Sequence, residues 1–141
     1  MQIKILKLNK TLPIPKYATN GSACMDVYSS IDTFIYPDET QVIPLGIAVE
    51  IPKWYELQVR GRSGLSKKGI IVSNGIGTID SDYRGEIGMI LTNLTSEVFK
   101  ITQGDRVGQV CLSQVIPISF EEVEQLSETE RGAGGYGSTG K

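Results

Sequence analysis

The chain has 141 residues, a formal net charge of −2 and no histidine. That length fits one domain able to bury a core without disulfide or metal staples, and the mild acidity lacks the electrostatic footprint of a duplex-binding protein. No apolar run approaches the ~20 residues of a membrane span, and without histidine or paired cysteines an all-protein zinc site has almost no basis.

The N-terminus, Met1-Gln2-Ile3-Lys4-Ile5-Leu6, enters a strand-like segment (2–8) directly and has no signal-peptide architecture, which predicts a cytoplasmic protein. Cys24 is isolated from Cys111, so both are read as reduced, packed thiols without a catalytic role. Strands are expected over 25–29 and 33–36. From Gln41 to Ile51, the residues Ile43, Leu45, Ile47, Val49 and Ile51 alternate with Val42, Pro44, Gly46, Ala48 and Glu50, which predicts one strand with a strongly apolar face. Trp54 to Arg60 repeats the alternation. Ser63 to Lys68 predicts one or two helical turns, with Ser63 as N-cap, Lys67 and Lys68 at the negative end of the dipole, and Gly69 closing it.

Further strands are expected at 87–94, 97–101, 107–112 and 114–120. Asn93-Leu94-Thr95 matches a glycosylation acceptor, a match without meaning unless the chain is secreted. Many short alternating runs with regular turn signals, and no long helical period, predict an all-β sandwich, jelly roll or barrel. The β domain is assigned to residues 1–120. Residues 121–141 form an acidic spacer and a glycine-rich arm with little to bury, expected to be flexible unless captured.

The densest chemistry lies between Ile70-Ile71-Val72 and Ile87-Gly88-Met89-Ile90-Leu91. There Asn74-Gly75-Ile76-Gly77-Thr78-Ile79-Asp80-Ser81-Asp82-Tyr83-Arg84-Gly85-Glu86 forms a polar, hairpin-like connection on rigid elements. Turns favour Gly, Asn and Asp, but a turn alone does not need this run of acids with Tyr and Arg. Acid–base work near neutral pH must fall to a carboxylate, and this loop supplies one.

The tail from Arg131 to Lys141 mimics a dinucleotide-binding glycine motif and a P-loop. Both matches fail, since neither the required strand nor the required helix adjoins it. Its glycines, hydroxyls, arginine and lone Tyr136 suit a polyanion and a stacked base, and composition equally suits a solubilising tail. Gly61-Arg62-Ser63-Gly64-Leu65-Ser66 could be an anion site or simply a helix start after a strand. Gly104-Asp105-Arg106-Val107-Gly108-Gln109 reads as a structural turn with an Asp–Arg pair. In Gly21-Ser22-Ala23-Cys24-Met25-Asp26-Val27, Asp26 is either an edge charge or a metal-facing group.

These clusters, in this order, resemble the five motifs of the homotrimeric dUTP pyrophosphatases (dUTPases): Gly21–Val27, Arg62–Ser66, Asn74–Glu86, Gly104–Gln109 and Arg131–Gly140. The resemblance implies a jelly-roll β-barrel with one short helix, a homotrimer, and Mg²⁺-assisted hydrolysis of dUTP to dUMP and pyrophosphate. Such a reaction limits uracil in DNA and supplies dUMP for dTMP synthesis. It implies no direct nucleic-acid or membrane partner, and a cytoplasmic location, or host cytoplasm or nucleus for a viral chain. Position by position, Asp80 would activate the attacking water, and Tyr83 would lie under the deoxyribose and reject ribonucleotides. Asn74 and neighbouring backbone, with Gly77, Thr78 and Ile79 among the substrate contacts, would hold the uracil. Arg62, Ser63, Gly64 and Gln109 would hold phosphates, and Asp26 would face Mg²⁺ through water. From the arm, Arg131 would grip the γ-phosphate and Tyr136 would cover the uracil. Gly137, Ser138 and Thr139 complete the contacts, in a site closed by a neighbouring subunit's arm. Tyr136 stands where the family usually has phenylalanine, Cys24 where it has glycine, and Gly108 where alanine is commoner.

Two rivals are weighed. A dCTP deaminase shares the fold, but its relatives place a glutamate on the strand after the third motif, and Ile87–Leu91 carries no acid. A nucleotide-binding regulatory module would not need the intact Asp80 or the complete arm.

Overall fold

The computed structural model describes residues 1–135. The short alternating runs fold as strands β1 (Lys4–Lys7), β2 (Met25–Tyr28), β3 (Thr33–Ile35), β4 (Thr40–Pro44), β5 (Ile47–Glu50) and β6 (Tyr55–Arg60). After a single helical turn, α1 (Ser63–Ser66), come β7 (Ile70–Val72), β8 (Gly77–Ile79), β9 (Gly88–Asn93), β10 (Phe99–Ile101) and β11 (Arg106–Gln114). Every ladder is antiparallel: β1 with β5, β3 with β10, a sheet ordered β2-β11-β6-β8, and a sheet ordered β4-β9-β7. This is the all-β architecture expected from the alternation, and its long-range pairings agree with a jelly-roll barrel. Among the described residues, no helix is long and apolar enough to cross a membrane.

One core unites the sheets. Ile35, Ile43, Ile87, Met89, Leu91, Ile101, Val107 and Val110 are buried in it, drawn from strands distant in sequence. Burying such side chains contributes about 1.5–3 kcal/mol each relative to exposure, which is ample for a domain without staples.

Three expectations change on contact with the fold. The segment Gln41–Ile51 is two strands, because Gly46 takes φ +67 and breaks the ladder. A Cβ there would lie 2.7 Å from Asn9 Cβ, so the close approach and the left-handed backbone both demand glycine. On its two sides the chain changes partner, β4 pairing with β9 and β5 with β1, yet Ile43, Leu45, Ile47, Val49 and Ile51 all stay buried. Ser63 does not cap α1; Arg62 occupies that position with extended backbone and no side-chain cap bond. Gly69 does close the turn, with φ +81 and its N–H donating to the Ser66 carbonyl at 3.0 Å. Finally, β11 ends at Gln114, and 115–120 form no strand.

Candidate active site

Strand β11 lies between β2 and β6, and its register sets Gln109 opposite Asp26 on one side and Arg60 on the other. Just past the end of β6, Arg62 turns back toward the same corner. Its Nε stands 3.2 Å from Asp26 Oδ1, and its Nη1 donates to the Arg106 carbonyl at 3.2 Å. Arg106 Nη1 stands 3.2 Å from Asp26 Oδ2, and Gln109 Nε2 donates to Asp26 Oδ1 at 3.2 Å. The fold therefore gathers Asp26, Arg62 and Gln109, three residues expected to share a site, and adds Arg106. The arginine of the fourth cluster pairs with Asp26 and not with Asp105, whose Oδ2 instead accepts from the Thr102 N–H at 2.8 Å.

Two guanidiniums face one carboxylate, leaving a net positive corner with forked donors matched to phosphate oxygens. Ser63 and Gly64 open α1 beside it and are exposed. Arg106 was legible only as a turn residue, because its role depends on pairing β2 with β11 across the whole chain.

A second group forms on the opposite edge of the same sheet. β8 adds to β6 with Gly77 opposite Val59, Thr78 opposite Gln58 and Ile79 opposite Leu57. Asn74, Gly77, Thr78 and Ile79, with Val59, Val72 and Met89, line a recess of about 170 Å³. That volume is below the about 300–1,000 Å³ of pockets enclosing drug-sized ligands and suits one small ring. A Cβ on Gly77 would come 3.2 Å from Val59 Cβ and 3.4 Å from Asn74 Nδ2, so glycine keeps the recess open.

Asp80, the residue after β8, is exposed. With Asp82, Arg84, Trp54 and Glu56 it lines an open cleft of about 750 Å³. The loop behind it is fastened by its own groups. The Tyr83 N–H donates to the Asp80 carbonyl at 3.2 Å, and Arg84 Nη1 to the Ser81 and Tyr83 carbonyls at 2.7 and 2.8 Å. Tyr83 Oη donates to the Glu86 carbonyl at 3.0 Å, while Glu86 Oε1 accepts from the Gly46 N–H at 2.8 Å. The Tyr83 ring lies over Gly85, where an added Cβ would come 2.6 Å from the ring Cζ.

Among the described residues, the hydrogen bonds of Arg131 are to its own turn: Nε donates to the Gly134 carbonyl at 2.8 Å, and the Gly134 N–H returns to the Arg131 carbonyl at 3.0 Å. Tyr136, Gly137, Ser138 and Thr139 lie outside the described residues.

Among the described residues, no group of three or more His, Cys, Asp or Glu side chains converges on a metal position. A single carboxylate such as Asp26 has the chemistry to face a Mg²⁺ that keeps its waters and takes other ligands from substrate phosphates. Its oxygens carry three contacts, all at 3.2 Å, and a carboxylate has about four lone-pair positions.

The dUTPase family model matches residues 10–140. A deoxyuridine 5'-triphosphate nucleotidohydrolase of Nautilia profundicola is 50% identical over 100% of both chains. One of Zymomonas mobilis is 49% identical over 99% of this chain and 97% of its own. In shape, the chain matches a mutant dUTPase of Staphylococcus bacteriophage 80alpha solved with dUpNHpp: TM-score 0.91, 24% identity, 99% of both chains covered. It also matches a mutant dUTPase of phage phi11 of S. aureus, solved to show coordination of a structural Mg(II) ion. There the TM-score is 0.84 at 21% identity, with 91% of this chain and 100% of that chain covered.

Proposed function

The chain belongs to the dUTPase family and hydrolyses dUTP to dUMP and pyrophosphate, and from that premise we propose how its own residues divide the work. The recess of Asn74, Gly77, Thr78 and Ile79 takes the uracil, with backbone groups and the Asn74 amide reading its edge. Tyr83 floors the sugar and leaves no room for a 2′-hydroxyl. Asp80 accepts a proton from the water whose oxygen bonds the α-phosphorus, while the bond from that phosphorus to the bridging oxygen breaks and pyrophosphate departs. Arg62 exchanges its hold on Asp26 for phosphate oxygens, assisted by Gln109 and by Ser63 and Gly64 at the start of α1. Mg²⁺, when bound, supplies charge neutralisation on the triphosphate, and Asp26 is the residue that would meet its waters.

The observation that carries this reading is the continuity of β8. Gly77–Ile79 wall the ring-sized recess, and the residue that follows the strand directly is the exposed Asp80. In this reading β8 and the residue just past it hold the uracil and the proton acceptor at a short, fixed separation.

The working unit is a homotrimer of β-barrels (1–120), each lending its arm (121–141) to a neighbour's site. Two features support it. Among the described residues, the hydrogen bonds of Arg131 are to its own turn, and Ile116, Ile118 and Phe120 on the approach to the arm are largely exposed. From the arm, Arg131 would hold the γ-phosphate, Tyr136 would cover the base, and Gly137, Ser138 and Thr139 would add contacts. The assembly works in the cytoplasm.

Pyrophosphate release measured across the deoxynucleoside triphosphates and UTP, with and without Mg²⁺, tests the reading. Release from dUTP, strengthened by Mg²⁺ and weak with UTP, is expected. Ammonia from dCTP would instead identify a deaminase. Tight binding of a non-hydrolysable dUTP analogue without dUTP turnover would identify a binding module.

A further inference from the structure

The ladder sets Gln109 opposite Asp26 and ends at Val110 opposite Met25, and the next residues along the two segments are Cys111 and Cys24, whose thiols lie side by side. The two cysteines, isolated in sequence, are neighbours in the fold. Opposed residues of an antiparallel ladder have Cα atoms about 4.5–5.5 Å apart, inside the about 4.4–6.8 Å that a disulfide spans. Both are free thiols and both are only half-buried, so a small reagent can reach them. Cys111 Sγ also donates to Gln58 Oε1 at 3.9 Å, which directs its thiol along the sheet face. Burial pushes the Cys111 thiol above its ordinary range, and the Cys24 thiol beside it pushes the same way.

Residues two apart on a strand share a face. Cys111 and Gln109 therefore point to one side of β11, and Cys24 stands two residues before Asp26, just ahead of β2. The sulfur pair thus lies two residues along each segment from the Asp26–Gln109 hydrogen bond of the phosphate corner. We propose that Cys24 and Cys111 form a reversible dithiol–disulfide switch acting on that corner. With a low-molecular-weight disulfide as oxidant, one cysteine sulfur attacks it and releases one small thiol. The second cysteine then displaces the other, so that two protein thiols and one disulfide yield one protein disulfide and two small thiols. Opposed Cβ atoms stand about 4.5–5.5 Å apart in a ladder and about 3.8 Å apart in a disulfide. Closing the bond draws the strands together by roughly 1 Å beside Asp26 and Gln109, a displacement of the size that disturbs catalytic positioning.

The regulatory half of this inference rests on the dUTPase reading; bond formation does not. The full-length protein is treated with oxidised glutathione, and intact mass under non-reducing denaturing conditions is followed together with dUTP turnover. The wild type is expected to lose two hydrogens without retaining glutathione, with a Cys24–Cys111 cross-linked peptide. Its turnover is expected to fall about 10-fold and recover on reduction. Cys24→Ser and Cys111→Ser keep their basal turnover and never show the two-hydrogen loss. An unreacted wild type, glutathione retained on separate cysteines, links between chains, or a cross-link that leaves turnover unchanged would each overturn the proposal. Absence of dUTP turnover before any oxidant would count against the functional reading alone.

Discussion

Gly108 and Met89 compete for one volume: a Cβ built on Gly108 would overlap the Met89 sulfur, and Met89 is completely buried. Gly108 thus lets the central strand β11 approach β9 with a methionine between them, one residue before Gln109. Gly108→Ala is expected to cost about 1–3 kcal/mol, as overpacking a dense core does. Met89→Val in the same chain should return part of that loss. Denaturant midpoints at fixed protein concentration check both, and a silent Gly108→Ala would show that Met89 relocates freely.

Asp80→Asn preserves shape and hydrogen bonding but cannot take a proton. Turnover is expected to fall roughly 10²–10⁴-fold while dUTP binding persists. Single-turnover kinetics alongside equilibrium binding separate the two effects. Turnover within a few-fold of wild type would move the role to Asp82 or Glu86.

Gly85→Ala places a methyl against the Tyr83 ring, which is partly exposed and free to swing away. The barrel should remain folded while the sugar floor is lost. The ratio of kcat/KM for dUTP over UTP is therefore expected to fall by about 10-fold or more, near the 1.4 kcal/mol of one misplaced contact. An unchanged ratio with an unchanged melting profile would detach Tyr83 from sugar selection.

Trp54 is the third residue of a turn closed by the Tyr55 N–H on the Pro52 carbonyl at 3.1 Å, and it takes φ +69. Bulky side chains resist that left-handed conformation by roughly 1–2 kcal/mol, whereas asparagine visits it more readily. Trp54→Asn is expected to raise stability by about 1 kcal/mol. A lower midpoint would mean the ring, over which Lys53 Nζ sits at 4.6 Å, contributes more than its backbone costs.

Base and arm can be separated by complementation. A chain carrying Asp80→Asn and a chain truncated before Arg131 should each be inactive alone. Mixed trimers should regain partial activity at the one site joining Asp80 of a truncated chain to the arm of an Asp80→Asn chain. Verified mixed trimers no more active than their parents would rule out a shared site.

Period-two patterning found the apolar face of Ile43, Leu45, Ile47, Val49 and Ile51 but missed the breaks. Ile43 to Ile51 stays apolar-in across Gly46 while the partner strand changes, but Ala48, expected on the outer face, is buried as well. Ile116, Ile118 and Phe120 alternate equally well, yet they are 78%, 75% and 94% exposed and outside any strand. Alternation says which side would be buried, whereas a free sheet edge decides whether a strand forms. Gly77–Ile79 was hidden for the opposite reason, since its glycines resemble a turn until β6 is seen to offer them an edge. The chemistry of Asp26, Arg62 and Gln109 was readable as motifs. That Arg106 joins them, and that Cys24 meets Cys111, depends on registers set by residues far away in sequence.

Asn93 is fully buried, and its amide is saturated. Nδ2 donates to the Ile35 and Glu97 carbonyls at 2.9 and 2.7 Å, and Oδ1 accepts from the Thr95 N–H and hydroxyl at 2.9 and 2.8 Å. The Asn-Leu-Thr acceptor is therefore spent on holding a corner of the barrel, and no oligosaccharide-transferring enzyme could reach it once the strands have closed. If the chain were routed through a secretory compartment, a sugar at Asn93 would brand only those molecules that failed to fold in time. The glycan would then act as a clock, its occupancy reporting how long β9 stays open after synthesis.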